Sequence, residues 1–213
     1  MSTRSGRPPR WQGGFALSLL LVVALAGPAL GQEPVIVAFG DSLTAGLGVP
    51  PEDAYPARLQ ARLRAAGYPH RVVNAGVSGD TTAGGLRRVE WALKHQPAIV
   101  ILELGANDGL RGQSVAGIRA NLEQMVRKFQ AAGARVLVAG MRLPPNYGQY
   151  AGEFGRVYAQ VAKSTGAPLV PFFLDGVAGE ARLNQPDGIH PTSEGYQLVV
   201  DRIWPYLEPL LRR

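Results

Sequence analysis

Five short apolar runs, rich in β-branched residues and separated by longer helix-like stretches, constrain this chain more than any other feature. They occupy residues 34–40 (PVIVAFG), 71–74, 98–104 (AIVILEL), 135–142 and 168–173. Apolar runs of this length with little alternation predict strands buried on both faces, and such strands belong to parallel sheets. Between them the spacing predicts helices. Over residues 55–66, Leu59, Leu63 and Ala66 share one face, the arginines lie elsewhere, and Gly67 follows as a stop. Further helices are expected over 82–94, over 114–132 closed by Gly133, over 153–165, and over 193–211 with a break or kink near Pro205.

Strands that alternate with helices give an α/β fold, and right-handed crossovers then favour a three-layer α/β/α sandwich around a five-stranded parallel sheet. The flavodoxin-like strand order 2-1-3-4-5 is the simplest topology for such a chain. A hydrophobic fraction of 46% with 18% charged residues suits one globular domain, expected over residues 32–213.

The segment ahead of that domain reads differently. Arg4, Arg7 and Arg10 precede a 13-residue apolar stretch over 15–27, and Ala29-Leu30-Gly31 supplies small residues at a signal-peptidase spacing. A membrane span needs about 20 apolar residues, so residues 1–31 are expected to be a cleaved signal peptide rather than an anchor. The product would be periplasmic or secreted, with no stable membrane span. Its removal takes the formal charge from +6 to +3, since three arginines and no acid precede Glu33. The remaining arginines are scattered without interleaved aromatics, which argues against a nucleic-acid partner. The chain has no cysteine, which excludes disulfides, thiolate metal sites and thiol catalysis.

In an open parallel sheet, ligands sit beyond the carboxyl ends of the strands, near the point where strand order reverses. Four polar, glycine-flanked loops fall there: Gly40-Asp41-Ser42-Leu43, residues 74–80 (NAGVSGD), Gly105-Ala106-Asn107-Asp108, and Asp187-Gly188-Ile189-His190-Pro191. Acyl transfer needs a nucleophile, a base, a group to orient the base, and donors for the oxyanion. Ser42 lies where a strand gives way to a helix. Of the three histidines, His70 begins a strand on the opposite rim and His95 ends a helix, which leaves His190 as the base. Asp187, three residues earlier, is placed to hold the second ring nitrogen. The N–H groups of Ser42 and Gly79 and the side-chain amide of Asn107 are the candidate oxyanion donors, with Gly76 competing with Gly79.

Taken together, these four blocks resemble the SGNH (GDSL) hydrolase superfamily. The run 103–112 (ELGANDGLRG), residues 74–81 and residues 142–148 (RLPPNYG) resemble its bacterial periplasmic thioesterase and arylesterase branch. The likeness extends from about residue 34 to 211. It implies a Ser42, Asp187 and His190 triad, an oxyanion hole of Ser42, Gly79 and Asn107, and no metal or other cofactor. It also implies small-molecule substrates: aryl esters, acyl-CoA thioesters and lysophospholipids. Ala106 stands where such relatives often carry glycine; the methyl narrows the loop without removing the donor at Asn107.

The loop after the fourth run is expected to wall an acyl pocket through Leu143, Pro144, Asn146 and Tyr147. Asp41, Asp80 and Asp108 are expected to bind loop amides rather than transfer protons. Glu103 and Arg142 fall at the ends of neighbouring strands, and a buried carboxylate needs a partner, so an ion pair bracing the rim is the expectation. The chain is expected to be a monomer. The competing functions are a carbohydrate acetylesterase of the same superfamily and a non-catalytic lipid- or glycan-binding protein. A dinucleotide or phosphate binder is disfavoured, since no Gly-x-Gly-x-x-Gly or P-loop pattern follows the first run. No Gly-x-Ser-x-Gly elbow surrounds Ser42, which disfavours the unrelated α/β-hydrolase fold.

Overall fold

The strands form at Val35–Gly40 (β1), Arg71–Gly76 (β2), Pro97–Glu103 (β3), Arg135–Ala139 (β4) and Leu169–Val170 (β5). In the computed structural model they join one sheet in the order β2-β1-β3-β4-β5, every pair parallel, which is the expected topology. The described residues are 33–212 together with Met1, Ser2 and Gly6, so the reading of residues 1–31 as a leader falls almost wholly outside them. Residues Glu33–Arg213 make one compact unit. Among the described residues no helix is long and apolar enough to cross a membrane.

The helices are α1 (Ser42–Ala45), α2 (Tyr55–Ala65), α3 (Thr82–Arg87), α4 (Val89–Leu93), α5 (Ala106–Leu110), α6 (Val115–Ala131), α7 (Gly148–Thr165) and α8 (Ser193–Leu211). Helices α2 and α8 pack together on one face of the sheet, while α3, α4, α6 and α7 pack on the other. The central strands β1 and β3 are almost fully buried, as their unbroken apolar sequences require. By contrast β2 lies at an edge and is half-exposed. Phe39 and Phe129 meet edge to face at 5.4 Å, joining the sheet to α6.

The fourth strand ends at Ala139 rather than at residue 142 and α7 begins at Gly148 rather than near residue 153, while three further departures have identifiable reasons. The 82–94 helix divides at Arg88, whose backbone leaves the helical region (φ −105°, ψ 9°) and whose guanidinium turns inward. There it donates to the carbonyls of Gly40 at 2.8 Å and Ala75 at 2.7 Å, and to Asp80 at 2.6 Å. It also lies over the Phe39 ring, 3.8 Å from the centroid. The fifth strand shrinks to two residues because Pro168 and Pro171 flank it and lack the N–H a sheet ladder needs. The last helix continues through Pro205 and Pro209 to Leu211 instead of breaking, held by the burial of Val199, Val200, Ile203, Leu207 and Leu210.

Gly76, at the end of β2, is required by space. A β-carbon there would sit 2.2 Å from the Ala45 amide nitrogen and 2.7 Å from its Cα, so β2 and α1 could not meet. Backbone cannot yield as a flexible side chain can. Gly76→Ala is expected to cost about 1–3 kcal/mol, the usual penalty for overpacking, read as a lower urea midpoint with an unchanged slope.

Candidate active site

The carboxyl ends of β1, β2 and β3, with the loop before α8, bring the four polar blocks together. Asp41 caps α1, its Oδ1 accepting from the Leu43 N–H at 3.0 Å, and the turn presents Ser42 at the head of that helix. Ser42 Oγ lies 2.8 Å from His190 Nε2, although 148 residues separate them in sequence. On the far side of the ring, His190 Nδ1 lies 2.6 Å from Asp187 Oδ2. The other carboxylate oxygen of Asp187 accepts from the N–H groups of Ile189 at 2.9 Å and His190 at 3.0 Å. These bonds, led by that from the His190 N–H, hold the Asp187 carboxyl down at about 2. It is therefore ionised wherever a histidine can act as a base, and it fixes the ring with Nε2 toward Ser42. His70 and His95 precede β2 and β3 on the opposite rim, far from this line.

The candidate oxyanion donors gather on the same rim. Gly79 has φ +79°, a conformation glycine adopts freely, and its carbonyl accepts from Arg111 Nη2 at 3.4 Å. Asn107 lies in α5, which follows directly on Gly105 (φ +115°), and its Nδ2 donates to Asp41 Oδ2 at 3.1 Å. One hydrogen of that amide is thereby fixed, and the other stays available. Among the described residues the N–H groups of Ser42 and Gly79 donate to no protein acceptor.

The GDSL-like lipase/acylhydrolase family model matches residues 38–198, a span that contains all four blocks. The chain belongs to that family. Esterase TesA of Pseudomonas aeruginosa is 47% identical over 194 residues, covering 90% of this chain and 96% of that protein. The arylesterase of Vibrio mimicus is 38% identical, covering 87% and 93% of the two chains. The thioesterase 1/protease 1/lysophospholipase L1 of Escherichia coli K12 is 37% identical, covering 95% and 94%. Among solved structures, TesA superimposes with a TM-score of 0.81 over 83% of this chain and 99% of that one, at 47% identity. A psychrotrophic esterase from Pseudoalteromonas sp., solved inhibited by monoethylphosphonate, gives 0.79 at 35% identity over 84% and 99%.

Within this GDSL-family site one expectation fails. Glu103 and Arg142 do not pair. Glu103 is fully buried, and its Oε2 accepts from Thr44 Oγ1 at 2.8 Å and, more distantly, from the Asp41 N–H at 3.4 Å. Arg142 is exposed and lies over the Phe172 ring, 5.0 Å from its centroid. The strand ends at Ala139, so the chain has already turned outward by residue 142. Burial, with Asp41 beside it, pushes the Glu103 carboxyl well above its ordinary range, and burial likewise raises Asp41 to about 6. Glu103 is thus an acid that burial drives toward its neutral form beneath the Ser42 turn; its Oε2 accepts from a hydroxyl rather than a cation, and among the described residues its buried Oε1 has no hydrogen-bond partner.

The remaining acids behave as expected. Asp80 accepts from the Thr81 N–H at 3.0 Å and pairs with Arg88, and Asp108 accepts from the Thr82 N–H at 2.8 Å and its hydroxyl at 2.6 Å. Sequence reasoning missed Arg88, Thr44 and Thr82, which support the site from beneath. Only Arg88 left a trace in the sequence, as a charge on the inward face of a helix.

The neutrality of Glu103 has a pH signature. Above an ordinary value near 4.5 the unfolded chain releases this proton while the folded chain keeps it, so stability falls as pH rises. Glu103→Gln removes that slope. Relative to the parent it is expected to gain about 1.4 kcal/mol for each pH unit crossed inside the window. Urea unfolding of both proteins from pH about 5 to about 8 measures the difference.

Proposed function

We propose that Ser42 is the nucleophile of a serine esterase that hydrolyses carboxylic esters and thioesters through an acyl-enzyme. The observation that carries this reading is the unbroken line from Asp187 through His190 to Ser42, with spacings of 2.6 and 2.8 Å. His190 Nε2 takes the Ser42 proton as Oγ attacks the acyl carbon. The developing oxyanion accepts from the Ser42 and Gly79 N–H groups and from the free hydrogen of Asn107 Nδ2. The tetrahedral centre collapses, the leaving alcohol or thiol takes the proton from His190, and the acyl group stays on Ser42. Water then repeats the sequence, giving its proton to His190 and releasing the acid. Asp187 stays ionised throughout and stabilises the imidazolium that forms twice in each cycle.

The substrates in this reading are aryl esters, acyl-CoA thioesters and lysophospholipids, a reading supported by the names arylesterase and thioesterase 1/protease 1/lysophospholipase L1 of the Vibrio mimicus and Escherichia coli relatives. An acyl pocket beside Asn107 is supported by the loop after β4. Tyr147 donates its hydroxyl to the Leu110 carbonyl at 3.2 Å, and a β-carbon on Gly109 would meet Leu143 at 2.9 Å. Leu143, Pro144, Asn146 and Tyr147 form its wall. The enzyme works outside the cytoplasm as a monomer after loss of residues 1–31, a reading supported by the basic and apolar pattern of that segment.

Ser42→Ala is expected to lower kcat by about 10⁴-fold or more, and Asp187→Asn by about 10⁴-fold through the wrong tautomer. Asn107→Ala should cost about 10²- to 10³-fold in kcat with little change in KM. Turnover of a p-nitrophenyl ester series from acetate to palmitate checks both mechanism and class. Activity confined to acetate replaces the lipid reading with a carbohydrate acetylesterase. Activity that survives Ser42→Ala removes the proposed nucleophile.

A further inference from the structure

Asp41 has no exposed surface and stands one residue before Ser42. Its place as the N-cap of α1 does not account for an acid there. Asparagine caps a helix about as well as aspartate, and it brings no carboxylate to desolvate. The cost shows in the group itself, since burial pushes the Asp41 carboxyl up to about 6. A carboxylate at this point also lies beside the place where negative charge develops on the substrate oxygen, which by itself opposes the reaction. Capping uses only one of its two oxygens, so the acid is explained by what the other one binds.

Oδ1 accepts from the Leu43 N–H at 3.0 Å, and Oδ2 accepts from Asn107 Nδ2 at 3.1 Å. An asparagine amide has a donor end and an acceptor end of nearly the same shape, and turning it over exchanges them. Only the nitrogen end can serve an oxyanion; the oxygen end repels it. Among the described residues Asp41 is the only partner of the Asn107 side chain. An ionised carboxylate only accepts, so it admits only the nitrogen end. The carboxyl of Glu103 lies against the Asp41 N–H and is driven toward its neutral form, which leaves the ionised form to Asp41.

From this geometry we infer that Asp41 is a positioning residue for the oxyanion hole. Oδ2 holds the Asn107 amide with its nitrogen end toward the developing charge, while Oδ1 holds the turn that presents Ser42. One carboxylate thereby sets a donor that follows β3 against a nucleophile that follows β1. The inference rests on the esterase reading above and adds to it how the side-chain donor is aimed.

Asp41→Asn separates the two oxygens. Its side-chain oxygen still caps α1, and its nitrogen faces Asn107, whose amide turns over to accept from it. At pH about 8, where Asp41 is ionised, kcat for p-nitrophenyl butyrate is expected to fall about 10²- to 10³-fold, the loss of one oxyanion donor, with KM little changed. The urea midpoint is expected to be no lower than the parent's. In an Asn107→Ala background the same substitution should cost less than about threefold more, because the group it acts through is gone. Independent losses would instead multiply to about 10⁴-fold or more. That result puts the effect of Asp41 on the Ser42 turn or on the His190 imidazolium and overturns the proposal, as does a parental kcat in Asp41→Asn.

The contact is also read without turnover. In the parent, one side-chain amide proton of Asn107, assigned by its loss in Asn107→Ala, is expected downfield of the other asparagine and glutamine amides in an NMR spectrum, and upfield again in Asp41→Asn. An ordinary position in the parent overturns the proposal whether or not the variant folds. If the parent hydrolyses the ester and Asp41→Asn does so equally well, only this inference falls. A downfield proton in a parent that hydrolyses no ester removes the esterase reading and leaves the hold of Asp41 on Asn107 in place.

Discussion

The guanidinium of Arg88 is the interaction on which the rest of the site depends. It binds the carbonyls at the ends of β1 and β2 together and takes Asp80 as its counter-charge. Those carbonyls belong to Gly40 and Ala75, where the sheet ladder runs out and the two loops bearing Ser42 and Gly79 begin. Without it the Ala75 carbonyl would lose this donor, and the Gly40 carbonyl would keep the Val77 N–H at 3.0 Å, at the place where the chain must turn most tightly. A planar guanidinium with several fixed donors satisfies both at once, which a lysine could not do with the same rigidity. The break in the helix at residue 88 is the local cost of turning that side chain inward.

A second layer of support lies beneath the nucleophile turn. Glu103, which burial drives toward its neutral form, the Thr44 hydroxyl and the Tyr55 hydroxyl 3.4 Å from it fill the space under α1 with polar groups. Asp41 joins this layer to the oxyanion side through Asn107. The support is compact because Gly40 permits it. A β-carbon there would lie 2.0 Å from Thr44 Oγ1 and 2.5 Å from Glu103 Oε2. Two carboxyl groups packed this closely, and away from solvent, do not both ionise readily.

Much of this was legible in the sequence. The periodicity of the apolar runs identified the sheet, its order and the rim that bears the site, because buried parallel strands leave a hydrophobic signature that few other elements share. The pairing of Asp187 with His190 was legible because three residues in one loop suffice to make it. The fate of Glu103 and Arg142 was not. Both lie where neighbouring strands end, and linear spacing cannot show that one chain has already left the sheet at Ala139 while the other is still buried. The role of Arg88 was hidden for a related reason: two of its three acceptors are main-chain oxygens, which carry no residue identity to read. The reason for Gly76 was equally hidden, since the obstacle to a side chain there comes from the backbone of Ala45, 31 positions away.

The Asp187 to His190 loop has a consequence for how the site is assembled. Asp187 and His190 are joined by side-chain and backbone bonds within four consecutive residues, so they form a single preassembled part. Their attachment to the body of the protein runs through the bridge between Asn184 and Pro191 and through the start of α8. The pair meets the rest of the site through His190 Nε2 and Ser42 Oγ, and the loop is tied beside it through Gln185 and the Leu47 carbonyl. The Asp187–His190 pair and the Ser42 turn are thus two separately built parts, and a single side-chain contact of 2.8 Å joins the imidazole to the hydroxyl.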